Sequence, residues 1–137
     1  MAEMTERFRR SFDALPEIFA LVRTFAARER LESEVQFSID FAVEEIFTNM
    51  VKYNGEGRSD VEIALEVRDG ELVITLTDFD TDPFDINIDA PEVDIAKPLS
   101  ERTPGGLGLH LMKKMMDRVE YSHENRIGTI ILYKHLK

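Results

Sequence analysis

Residues 61–78 read VEIALEVRDGELVITLTD. Val61, Ile63, Leu65 and Val67 alternate with Glu62, Ala64, Glu66 and Arg68, and Leu72, Ile74 and Leu76 resume the alternation beyond Asp69-Gly70. A period of two places one set of side chains on one face of a strand. Asp-Gly between two such runs is a strong signal for a two-residue type I′ turn. The chain must therefore hold an antiparallel hairpin, and another layer must cover its apolar face.

That layer is legible as helices. Leu15, Ile18, Leu21, Val22 and Phe25 recur at helical spacing, with Pro16 tolerated in the first turn. Ser33 and Gln36 fit a capping box for a second helix with the stripe Val35, Ile39, Val43, Ile46 and Met50, ending near Tyr53-Asn54-Gly55. A third helix is expected from about Leu107 to Asp117, with Leu107, Leu111 and Met115 on one face and Met112, Met115 and Met116 filling the core. Val119 and Tyr121, then Glu124-Asn125-Arg126 and residues 129–136, read as a closing hairpin. Met4, Phe8 and Phe12 suggest a short strand at the start. Helices grouped beside antiparallel hairpins point to an α+β two-layer sandwich, a single domain over residues 1–137.

Charge narrows the function classes. A formal net charge of -10 disfavours nucleic acid and anionic membranes, both of which need clustered cations. The chain has no cysteine, and His110, His123 and His135 form no ligand-spaced pair, so disulfide, thiolate and His-based metal chemistry are not expected. No apolar run follows MAEMTERFRR, and none approaches a membrane span, so a cytoplasmic protein is expected.

Three places can carry chemistry. Glu45 and Asn49 lie one helical turn apart, off the apolar stripe, where a carboxylate can take a proton and a carboxamide oxygen can ligate magnesium. The same spacing suits a solvated helix surface. Asp78 ends a strand, where it suits a ligand's exocyclic amine or a plain turn. In TPGGLGLHLMKKMMD, Gly105, Gly106 and Gly108 crowd a helix start, where amides without β-carbons nearby can meet phosphate. A tight turn is the alternative. Arg102 stands just upstream as a charge-assisted donor. Between Phe79 and Gly106 periodicity is lost among Pro83, Pro91, Pro98 and Pro104, as in a binding loop or lid.

Taken in order, EEIFTNMVKYN, Asp78 to Asp85, ERTPGGLGLHLMKKMMD and Gly128-Thr129 resemble the motifs of the GHKL ATPases, and most closely the small bacterial anti-sigma-factor serine kinases. The resemblance implies the Bergerat fold, with three helices on one face of a mixed, mostly antiparallel sheet. It implies Glu45 as general base, Asn49 as magnesium ligand, Asp78 as acceptor for the adenine amine with Thr129 beside it, and residues 79–106 as an ATP lid. Amides around Gly105, Gly106, Leu107 and Gly108 would hold the phosphates, and Arg102 would sit near the γ-phosphate. The cofactors implied are ATP and Mg²⁺. The partners implied are a STAS-domain anti-sigma-factor antagonist as substrate, a sigma factor, and a second copy in a homodimer. The sequence departs from the family where Asp80 replaces the usual glycine of Asp-x-Gly, in a segment one residue longer than usual, and where Tyr53 stands in place of a common histidine. The alternative is a partner-binding module of the same fold without phosphoryl transfer.

Overall fold

A computed structural model describes residues 3–53, 60–79 and 106–136. Five strands and three α-helices follow in the order β1 (Met4–Phe8), α1 (Leu15–Arg28), α2 (Ser33–Tyr53), β2 (Val61–Arg68), β3 (Glu71–Asp78), α3 (Gly106–Met115), β4 (Arg118–Glu124) and β5 (Ile127–His135). The strands form one sheet in the order β1-β2-β3-β5-β4. The mostly antiparallel sheet of the Bergerat fold is present, and each of its described pairings is antiparallel rather than mixed.

The hairpin is where the alternation put it. Asp69 and Gly70 have φ of 52° and 75°, as a type I′ turn requires, and Val61 pairs with Asp78 at its far end. Ile63, Leu65, Ile74, Leu76, Ile130 and Leu132 share one sheet face and are buried. They join Ile18, Val22 and Phe25 of α1, Ile39, Val43, Ile46, Phe47 and Met50 of α2, and Met112 of α3 in one core. The helices thus cover one side of the sheet, the expected two-layer arrangement. α2 is central to it, packing on α1, α3 and β3.

Three local expectations change. β1 stops at Phe8, because Ser11 caps a 3₁₀ turn at Phe12–Ala14 by accepting from the Asp13 N–H, and Phe12 is left 48% exposed. α2 starts one residue earlier than a Ser33 cap allows, since the Gln36 N–H donates to the Glu32 carbonyl at 3.0 Å. α3 ends at Met115, and among its described side chains Met112 is buried, followed by Met116 just past its end, while Leu111 is 41% exposed. Leu111 therefore does not face the core as the expected stripe requires, whereas Met112 and Met116 fill the core as expected.

Candidate functional site

α2 delivers the first pair. Asn49 is only 2% exposed, so it faces inward rather than lying off the apolar stripe. Its Nδ2 donates to the Glu45 carbonyl at 2.6 Å and to Glu45 Oε2 at 2.8 Å. A buried amide needs such partners. This pair fixes the Glu45 carboxylate against the helix and orients the carboxamide with its nitrogen toward Glu45. The Asn49 oxygen is therefore the side chain's remaining hard acceptor. Among the described residues no cluster of three or more His, Cys, Asp or Glu could hold a metal. A cation here would take the Asn49 oxygen as one ligand and could draw others from phosphate and water, a hard oxygen shell that fits magnesium.

α3 supplies the second element. It begins at Gly106, so Gly106, Leu107 and Gly108 form its first turn, where backbone N–H groups have no intrahelical acceptor. That geometry suits phosphate oxygens. α2, which carries the Glu45–Asn49 pair, packs against both α3 and β3. Arg102, Gly105 and Asp80 lie outside the described residues, as do residues 80–105 of the lid expected over 79–106.

β3 ends at Asp78, whose side chain is 2% exposed and faces the helices, in line with the buried Leu76 and Ile74. Its cross-strand neighbour on β5 is Gly128, whereas Thr129 pairs with Thr77. Strand alternation therefore puts the Thr129 side chain on the opposite sheet face, and the expected neighbourhood of Asp78 and Thr129 side chains is not formed. Gly128 takes that place, leaving ordinary space of 3.7 Å to Tyr121 and His123 for a β-carbon. Phe79 turns away toward β1, its ring centroid 4.6 Å from the Arg7 guanidinium carbon.

Sequence reasoning missed one residue of this site. Arg10 Nη2 donates to Asp78 Oδ1, and the Arg10 side chain is 3% exposed. Its Nε and Nη1 are buried and have no hydrogen-bond partner among the described residues. The backbone on either side is tied down: the Arg9 guanidinium meets Glu17 Oε2 at 2.6 Å and the Asp13 carbonyl at 3.1 Å, and the Ser11 N–H donates to the Arg9 carbonyl at 2.8 Å. The signal for Arg10 lay in register alone. Phe8 pairs with Val61, and Val61 with Asp78, so the residues just after β1 emerge beside the end of β3.

On α2, outside this cluster, Asp40 Oδ1 is buried without a hydrogen-bond partner among the described residues. Burial pushes its carboxyl above the usual range, Arg23 pulls it back in part, and Glu44 adds to the rise.

The family described as histidine kinase-like ATPase domain matches residues 8–134. A serine-protein kinase RsbW of Listeria monocytogenes serovar 1/2a is 28% identical over 140 aligned positions, covering 96% of this chain and 88% of that protein. The RsbW serine-protein kinase of Halalkalibacterium halodurans is 29% identical over 93 positions, covering 65% of this chain and 56% of that protein. Among solved structures, the SiaB-SiaC complex from Pseudomonas aeruginosa contains a chain with the same fold, at a TM-score of 0.67 and 16% identity, covering 95% of this chain and 88% of that one. Among the described residues, no helix is long and apolar enough to cross a membrane.

Proposed function

Because this chain belongs to the histidine kinase-like ATPase domain family, we propose that it is an ATP-dependent serine/threonine protein kinase acting as an anti-sigma factor. Its substrate on this reading is a STAS-domain anti-sigma-factor antagonist. On the same reading it acts as a homodimer in the cytoplasm and sequesters a sigma factor. The similarity to RsbW serine-protein kinases over nearly the whole chain supports the activity.

The observation that carries the reading is the Glu45–Asn49 couple. Glu45 accepts the proton of the incoming serine or threonine hydroxyl, and the Asn49 amide holds that carboxylate in place through its 2.8 Å hydrogen bond. Asn49 also offers its oxygen to Mg²⁺, which when bound offsets charge on the phosphates. The first-turn amides of α3 at Gly106, Leu107 and Gly108 bind the phosphate oxygens, and Arg102 neutralises the terminal one. Asp78 accepts from the adenine amine.

A second reading is favoured by the Arg10–Asp78 pair, which covers the base-reading carboxylate. On that reading the chain switches partners without phosphoryl transfer. One experiment separates the two. The chain is incubated with γ-labelled ATP, Mg²⁺ and a purified STAS-domain protein, and label on the partner is counted. The kinase reading predicts transfer that falls by about 10²–10⁴ in Glu45→Ala while ATP binding persists. No transfer, with or without ATP binding, selects the second reading.

A further inference from the structure

We propose that Arg10 sets the base selectivity of this site by holding the Asp78 carboxylate, so that a purine with an exocyclic amine binds only as the guanidinium withdraws. The inference rests on the reading above that Asp78 recognises the adenine amine.

With the Asp78 side chain 2% exposed and Arg10 3% exposed, nothing the size of a base reaches the carboxylate while the pair is closed. An amine and a guanidinium are both donors, and they compete for the same acceptor. The residues present therefore do not fit adenine in this arrangement, and Arg10 is the reason. The lock is also incompletely satisfied. Arg10 Nε and Nη1 have no acceptor, so two buried donors recover hydrogen bonds when the side chain turns out to water.

The hinge is the side chain rather than the loop. Arg9 is anchored to Glu17 and to the Asp13 carbonyl, and Ser11 to the Arg9 carbonyl, so the backbone around Arg10 stays in place as its side chain rotates. If the lock is open in about a tenth of molecules, affinity for an amine-bearing purine is lowered about tenfold. A ligand that does not need the Asp78 acceptor escapes most of that penalty.

The test is calorimetric titration of the full chain with ATP and with purine riboside triphosphate, which lacks the amine and has no N–H on that edge of the base, both with Mg²⁺. In Arg10→Met, ATP is expected to bind about tenfold tighter, and purine riboside triphosphate to change less than about threefold. Unchanged or weaker ATP binding in Arg10→Met, with wild type binding ATP, overturns the proposal and leaves the nucleotide reading standing. No nucleotide binding to either protein overturns both. Because the variant removes the guanidinium from Asp78, wild type is also read directly by the heteronuclear NMR signal of Arg10 Nε–H. Saturating ATP is expected to bring this signal into fast exchange with water, and purine riboside triphosphate is not. A signal unaffected by saturating ATP overturns the proposal.

Discussion

Replacing Asp78 with alanine leaves the Arg10 guanidinium buried without its counter-charge. The two side chains are 2% and 3% exposed, so water cannot replace the lost carboxylate without opening the core edge. Arg10 Nε and Nη1 already lack partners, and the substitution removes the described acceptor of Nη2 as well. Breaking one side of a buried pair costs about 3–5 kcal/mol. An unfolding entropy of about 2.1 cal/mol/K per residue over 137 residues gives about 0.29 kcal/mol/K, so Asp78→Ala should melt about 10–17 °C lower. Adding Arg10→Met removes the stranded charge, and the double variant should regain most of that loss, since apolar replacements of buried pairs are near neutral. Urea unfolding at fixed pH, with the four proteins sharing one m-value, measures the cycle. The reasoning fails if Asp78→Ala costs under about 1 kcal/mol, or if Arg10→Met lowers the stability of Asp78→Ala further.

Other expectations are local. Arg30 sits at φ 55° in a Schellman motif closing α1, with the Leu31 N–H on the Ala26 carbonyl and the Arg30 N–H on the Ala27 carbonyl, so Arg30→Gly should gain about 1 kcal/mol in denaturant unfolding. Met112→Ala should lose about 2–5 kcal/mol while Leu111→Ala stays within about 0.5 kcal/mol, a contrast that reverses if α3 buries the other face. Burial raises the Asp40 carboxyl in the folded state, so wild type gains stability as pH falls through that raised value. Asp40→Asn should therefore be more stable than wild type at neutral pH, with the difference vanishing below the ordinary carboxylate range; a constant difference across a pH series of melts contradicts this.

The sheet was legible because alternation and turn chemistry are local. Asp69-Gly70 sets both register and face for β2 and β3 without reference to the rest of the chain. The α1 and α2 stripes were legible for the same reason, since helical spacing states directly which residues face inward. What escaped depends on contacts between elements distant in sequence. Leu111 and Met112 are both apolar, and only packing against α2 decides which is buried. The displacement of Thr129 from Asp78 is a one-step matter of β3–β5 register, which flips a side chain to the other face. Arg10 reads as a surface cation until β1 is seen to deliver it beside the end of β3. Glu45 and Asn49 share a helix, so their contact could be foreseen from spacing, but not the burial of Asn49.

Calorimetric titration of wild type and Asn49→Ala with ATP, with and without Mg²⁺, tests most directly whether the Glu45–Asn49 pair and the α3 amides form a magnesium-dependent ATP site. The expected result is wild-type binding that needs Mg²⁺ and a loss of at least about tenfold in Asn49→Ala, with the variant's fold verified by its melt. ATP binding indifferent to both Mg²⁺ and Asn49, or no binding by wild type at millimolar ATP, would contradict it.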